Sequence, residues 1–125
     1  MEYISTSDAP EAIGPYSQAI SVGNLMFVSG QLPLDKDTME FHGDNIVDQT
    51  EQVMTNIDNI VKSQGLSLAN IVKTTVFLSD MNNFAQMNET YAKRLDGHKP
   101  ARATIEVARL PKDALVEIEA IVSIP

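Results

Sequence analysis

The chain has 125 residues, a length that suits one domain built around one core. Its 43% hydrophobic content is that of a folded protein and argues against disorder. A formal net charge of −8 disfavours a broad footprint on nucleic acid or anionic membrane, and the lack of cysteine excludes disulfides, a thiolate nucleophile and a Cys-based metal site. The start, Met1 to Asp8, carries acids and no apolar core, unlike a secretory signal, and no apolar run approaches membrane-spanning length. The expectation is a cytoplasmic, single-domain protein over residues 1–125 with no membrane or nucleic-acid partner.

Taken in order, Gly14-Pro15 breaks the chain before a first strand, Tyr16 to Val22, and Gly23-Asn24 is a two-residue hairpin turn into Leu25–Ser29. Gly30 to Pro33 ends that strand, and a polar loop runs from Asp35 to Asp44. Apolar residues at helical spacing, from Ile46 and Val47 to Ile60 and Val61, predict a helix over about 45–64, capped by Asp44 and stopped by Gly65. Ile71 to Ser79 reads as a β-branched strand with Val72, Thr74, Val76 and Leu78 on one face. A second helix, about Met81 to Leu95, is capped by Asp80 and stopped by Gly97. Its stripe is Met81, Phe84, Asn88, Tyr91 and Leu95.

Two alternating runs follow, Pro100–Val107 and Leu115–Val122, read as strands joined by a turn at Leu110–Asp113. Alternation puts Arg102, Thr104 and Glu106 on one face of the first run, and Glu117 and Glu119 on one face of the second. If the two apolar sets bury together, Arg102 and Glu117 share one side of the sheet; a slip of register or a bulge separates them. The predicted order is β-β-α-β-α-β-β, an α+β class. Two amphipathic helices cover only one sheet face. The other would show Ile71, Lys73, Thr75, Phe77 and Ser79 beside Arg102, Thr104, Glu117, Glu119 and Ile121, so packing against other subunits is expected, with charged groups lining clefts between them.

Arg102 is the leading candidate for chemistry, because a guanidinium grips a carboxylate through two parallel hydrogen bonds. The alternative is a structural ion pair with Glu117 or Glu119. Glu117 is placed to polarise a water, and spacing does not choose between it and Glu119. Asn88 interrupts an apolar stripe, which points to a hydrogen bond to a neighbouring backbone or to a ligand. Tyr16 offers a hydroxyl or packs. Ser29-Gly30 marks either a close backbone approach to a ligand or a turn. His42 and His98 stand in no metal-like spacing, no nucleophile elbow or Gly-rich phosphate loop is present, and the methionines read as core filler.

Six motifs occur in order: Ala12-Ile13-Gly14-Pro15-Tyr16, Val28-Ser29-Gly30-Gln31, Ile71 to Phe77, Asn88-Glu89-Thr90-Tyr91, Pro100-Ala101-Arg102, and Val107 to Asp113. From about Ala9 to Ile121 the chain resembles the RidA (YjgF-type) family of enamine/imine deaminases. The resemblance implies a chorismate-mutase-like fold, a homotrimer with a central barrel and three intersubunit clefts, and no cofactor or metal. It implies hydrolysis of 2-imino acids such as 2-iminobutanoate and 2-iminopropanoate. It gives Arg102 the substrate carboxylate, Glu117 the attacking water, and Tyr16, Ser29, Gly30, Phe84 and Asn88 the lining of the cleft. Lys99 stands where many members have Phe, and Ala103-Thr104 where many have Ser-Cys. Rival readings are a non-catalytic sensor of small carboxylates and a ribonuclease or translation inhibitor, the latter disfavoured by charge. Chorismate mutase activity rests on fold analogy alone.

Overall fold

A computed structural model describes all residues, 1–125. Six strands form one mixed sheet: β1 (Glu2–Ile4), β2 (Ala19–Val22), β3 (Leu25–Gln31), β4 (Ile71–Leu78), β5 (Ala101–Glu106) and β6 (Val116–Ser123). Their order across the sheet is β1-β2-β3-β6-β4-β5. All neighbours are antiparallel except β4 and β5, which run parallel. Helices α1 (Ile46–Lys62) and α2 (Phe84–Leu95) pack on each other and on one sheet face. The α+β class and the helices on one side are as expected; β1 is an addition at the sheet edge, too short to carry a periodicity signal.

The core lies between helices and sheet. Val53, Met54, Ile57, Ile60 and Val61 of α1 meet Val76 and Leu78 of β4 and Val116, Ile118 and Val122 of β6, all fully buried. Complete burial of one such side chain stabilises by about 1.5–3 kcal/mol, so this layer and not the loops sets the fold. Asn45, not Asp44, caps α1: its Oδ1 accepts from the Asp48 N–H at 2.9 Å. Gly65 ends the helix as predicted, at φ 73°, with Leu66 N–H donating to Val61 O and Gly65 N–H to Lys62 O. Asp80 caps a single 3-10 turn, Met81–Asn83, that leads into α2. Met26, Met54 and Met87 fill the core, whereas Met1 and Met81 are exposed.

Two departures from simple alternation matter. In β4, Ile71 pairs with Val122 and Lys73 with Ile121, so Val72 is an extra residue. That bulge buries Ile71 and exposes Val72, the reverse of the expected assignment. In β3, Val28 pairs with Ala120 and Gln31 with Ile118, so Ser29-Gly30 holds a second bulge. Ser29-Gly30 is thus neither a turn nor a strand end.

The two C-terminal strands do not pair with each other. β4 lies between them. Arg102 is in register with Thr74, Thr104 with Val76 and Glu106 with Leu78, all facing the helices. Glu117 is in register with Phe77 on the opposite face. The expectation that Arg102 and Glu117 share one side is therefore corrected. The helix-free face carries Phe27, Phe77, Ile105 and Ile121 together with Glu117 and Glu119, and Phe27 and Ile105 are more than two-fifths exposed.

Candidate functional site

The first half of the site is built by β5 and α2. Arg102 leaves the edge strand toward the helix, where its Nη1 donates to Asn88 Oδ1 at 2.6 Å. Its Cζ lies 5.5 Å from the centre of the Phe84 ring and 5.1 Å from that of Tyr91. Each such cation–π contact contributes about 0.5–1 kcal/mol at an exposed site, comparable to a good surface ion pair. Two rings and an amide therefore fix the guanidinium plane without neutralising its charge. Asn88 bonds to Arg102, not to a neighbouring backbone, and Arg102 pairs with neither Glu117 nor Glu119.

Tyr91 is in turn fixed by a 2.6 Å bond between its hydroxyl and Thr74 Oγ1 on β4. Burial raises the Tyr91 pKa, opposed by the Thr74 bond and the Arg102 charge, so its phenol stays protonated at neutral pH. Tyr91 and Thr74 were not singled out from sequence as site residues. The available signal was the spacing Phe84, Asn88, Tyr91, one helical face aimed at one partner. Around this half lies a cleft of about 390 Å³ walled by Asn88, Tyr91, Leu95, His98, Lys99 and Arg102.

The second half is built by β6 and the β3 bulge. Glu117 is half-buried and points to the helix-free face beside Gly30. A Cβ on Gly30 would lie 3.0 Å from both Cδ and Oε2 of Glu117, so glycine is what lets the carboxyl occupy that place. Burial raises the Glu117 pKa, and the charge of Glu119 raises it further. No arginine, lysine or hydrogen-bond donor of the same chain offsets either effect.

Tyr16 and Ser29 belong to this half. The buried Gln18 side chain ties down the preceding segment: its Oε1 accepts from Thr6 N–H at 2.7 Å, and its Nε2 donates to Pro10 O at 2.8 Å and Thr6 O at 3.1 Å. Ser29 Oγ donates to Ser17 O at 2.6 Å, so this hydroxyl holds the Tyr16 loop instead of being free in the cleft. Tyr16 itself is exposed; with Gly30, Gln31 and Leu32 it lines a cavity of about 290 Å³, and with Ser29 and Glu119 another of about 390 Å³. The predicted residues thus fall into two constellations, Arg102–Asn88–Phe84 and Glu117–Gly30–Ser29–Tyr16, on opposite faces of one sheet. No group of His, Asp and Glu residues is arranged to hold a metal, and no helix is long and apolar enough to cross a membrane.

Residues 6–124 match the endoribonuclease L-PSP family. A RutC family protein of Pyrococcus horikoshii is 54% identical over 96% of this chain and 95% of its own length. The chloroplastic Reactive Intermediate Deaminase A of Arabidopsis thaliana is 46% identical over 98% of this chain and 66% of its own. Among solved structures, Escherichia coli TdcF with bound serine superposes with a TM-score of 0.95 at 42% identity, covering all of both chains. RidA from an Antarctic Psychrobacter gives 0.95 at 45% identity, covering 99% of this chain and all of the other. A match of this length, joined to the same sheet and helix arrangement, places the protein in the YjgF/RutC/RidA family, whose family description is endoribonuclease L-PSP.

Proposed function

We propose that this protein is a hydrolytic deaminase of 2-imino acids, such as 2-iminobutanoate and 2-iminopropanoate, acting in clefts between the subunits of a homotrimer. The observation that carries the reading is the state of Arg102: a charged guanidinium, oriented by Asn88, Phe84 and Tyr91 and paired with no carboxylate of its own chain. Such a group is ready for the carboxylate of a small substrate, through two parallel hydrogen bonds of roughly 1.5–3 kcal/mol each. The relatives support the class. One is named a reactive intermediate deaminase, and TdcF carries serine, itself a small carboxylate.

The faces of the sheet supply the trimer argument. Arg102 and Glu117 lie on opposite sides of one chain, so a cleft that uses both takes Arg102 from one copy and Glu117 from its neighbour. The exposed apolar side chains Phe27 and Ile105 share the helix-free face with Glu117, and that face is suited to burial by such a copy. In the assembled cleft, Arg102 holds the substrate carboxylate and sets the imine carbon beside Glu117. Glu117, with no donor or cation of its own chain against it, is the base that takes a proton from water as the oxygen adds to that carbon. The imine nitrogen gains a proton, the carbon–nitrogen bond of the resulting carbinolamine breaks, and 2-oxo acid and ammonia leave. The imine carbon is already electrophilic, so orientation and one base are enough, without a covalent intermediate.

The experiment is release of ammonia and 2-oxobutanoate from freshly generated 2-iminobutanoate, with semicarbazide trapping the surviving imine. Wild type accelerates the release and Arg102→Ala does not. No acceleration by an assembled wild-type oligomer refutes the deaminase. The remaining reading would then be a carboxylate-binding regulator, which needs Arg102 but not Glu117. The ribonuclease in the family's description is opposed by the net charge of −8.

A further inference from the structure

The cleft beside Arg102 holds more positive charge than one carboxylate needs. Its walls include His98, Lys99 and Arg102 and not one acidic residue. The chain as a whole has 17 acidic and 9 basic side chains, so a basic wall runs against its composition. Neither Lys99 nor Arg102 enters any of the five ion pairs of the chain, and Asp96, three residues before Lys99, enters none either.

Lys99 is also well placed. His98 is anchored twice: its N–H donates to Leu95 O at 3.0 Å, and its Nε2 donates to Ile71 O at 2.7 Å. Pro100 follows and restricts the Lys99 backbone to extended conformations, leading directly into β5. Three extended residues span about 10 Å, and both Lys99 and Arg102 line this one cleft.

We propose that Lys99 forms a second anion subsite beside Arg102, which makes 2-imino dicarboxylates of four or five carbons the preferred substrates. This rests on the deaminase reading above. Arg102 takes the carboxylate next to the imine carbon, and Lys99 takes the distal one. Water adds to the imine carbon, the carbon–nitrogen bond breaks, a 2-oxo dicarboxylate and ammonia leave, and the distal carboxylate is unchanged.

The test compares 2-iminosuccinate with 2-iminobutanoate, each generated in situ by an amino acid oxidase from aspartate or 2-aminobutanoate with catalase present. Wild type favours the dicarboxylate in kcat/KM by about two- to fivefold, the worth of one solvent-accessible charge pair. Lys99→Met, which keeps the stem and removes the charge, brings that ratio toward one. An unchanged ratio in Lys99→Met overturns the subsite. A calorimetric titration of 2-oxoglutarate and 2-oxobutanoate separates the two ideas. Tighter binding of the dicarboxylate that is lost in Lys99→Met, with no imine hydrolysis, upholds the subsite and sinks the deaminase. Equal binding of the two acids by a protein that hydrolyses 2-iminobutanoate overturns the subsite alone.

Discussion

Arg102 and Glu117 are held in opposite ways, and their variants separate accordingly. Arg102 is fixed by two rings and an amide that recognise a planar fork. Arg102→Lys keeps the charge and loses the fork, so kcat/KM for 2-iminobutanoate falls by about 100-fold while the oligomer survives, as sedimentation and steady-state kinetics will register. Glu117 has no such support, and burial raises its pKa above 4.5, with Glu119 adding to the shift. A carboxyl with a raised folded pKa holds its proton more tightly when folded. That stabilisation is complete below the unfolded pKa and is lost as pH rises through the folded value. Ionised Glu117 therefore opposes folding at neutral pH. In an Arg102→Ala background, where no guanidinium from another copy compensates, Glu117→Gln raises Tm at neutral pH. The gain vanishes below the unfolded pKa, as thermal scans at equal protein concentration will show. A gain that is the same at every pH contradicts the burial argument.

At the scale of elements, the β3 bulge and the β5 edge set the site. Gly30→Ala brings a methyl to 3.0 Å from the Glu117 carboxyl. The carboxyl is the free end of a flexible side chain, so it moves and the fold persists. The expected result is a kcat lower by about tenfold with Tm nearly unchanged. Tyr91→Phe does the reverse: it keeps the ring under Arg102 and leaves the Thr74 hydroxyl unpaired in the core, costing about 1–3 kcal/mol in denaturant unfolding with a much smaller effect on turnover than Arg102→Lys. The long helices, the β4 strand, the Gly65 stop and the helix-free face of β6 were legible in the sequence, because each has a period and a terminator. The partner of β5 was not. Alternation tells which residues share a face but not which strand lies alongside, and the rule that apolar residues turn inward misled for β5. Ala103 and Ile105 face the helix-free side, which is itself apolar around Phe27 and Phe77, and so Arg102 and Thr104 turn toward α2. Asn88 was visible as a break in a stripe, but only the parallel pairing of β4 with β5 shows that the break receives Arg102.

At the scale of the molecule, the placement of Arg102 and Glu117 on opposite faces makes a prediction that no single-chain site shares. In a closed trimer with heterologous interfaces, each cleft draws one residue from each of two neighbours. Arg102→Ala and Glu117→Gln are then both inactive as pure proteins, yet a mixed trimer contains clefts where an Arg102 from one kind of subunit meets a Glu117 from the other. Random mixing of equal amounts leaves one interface in four intact, so co-refolded protein regains about a quarter of the wild-type activity. Subunits mixed without exchange regain none. In the proposed trimer, burial of the face that carries Phe27 and Ile105 would hold the copies together, so the test uses denaturant to release them before mixing. Were both residues used within one chain, every site in the mixture would lack one of them, and co-refolding would restore nothing. Activity of the co-refolded mixture against the two unmixed variants, with oligomeric state checked by sedimentation, thus reads the location of the site directly, and it does so whichever imine the cleft prefers.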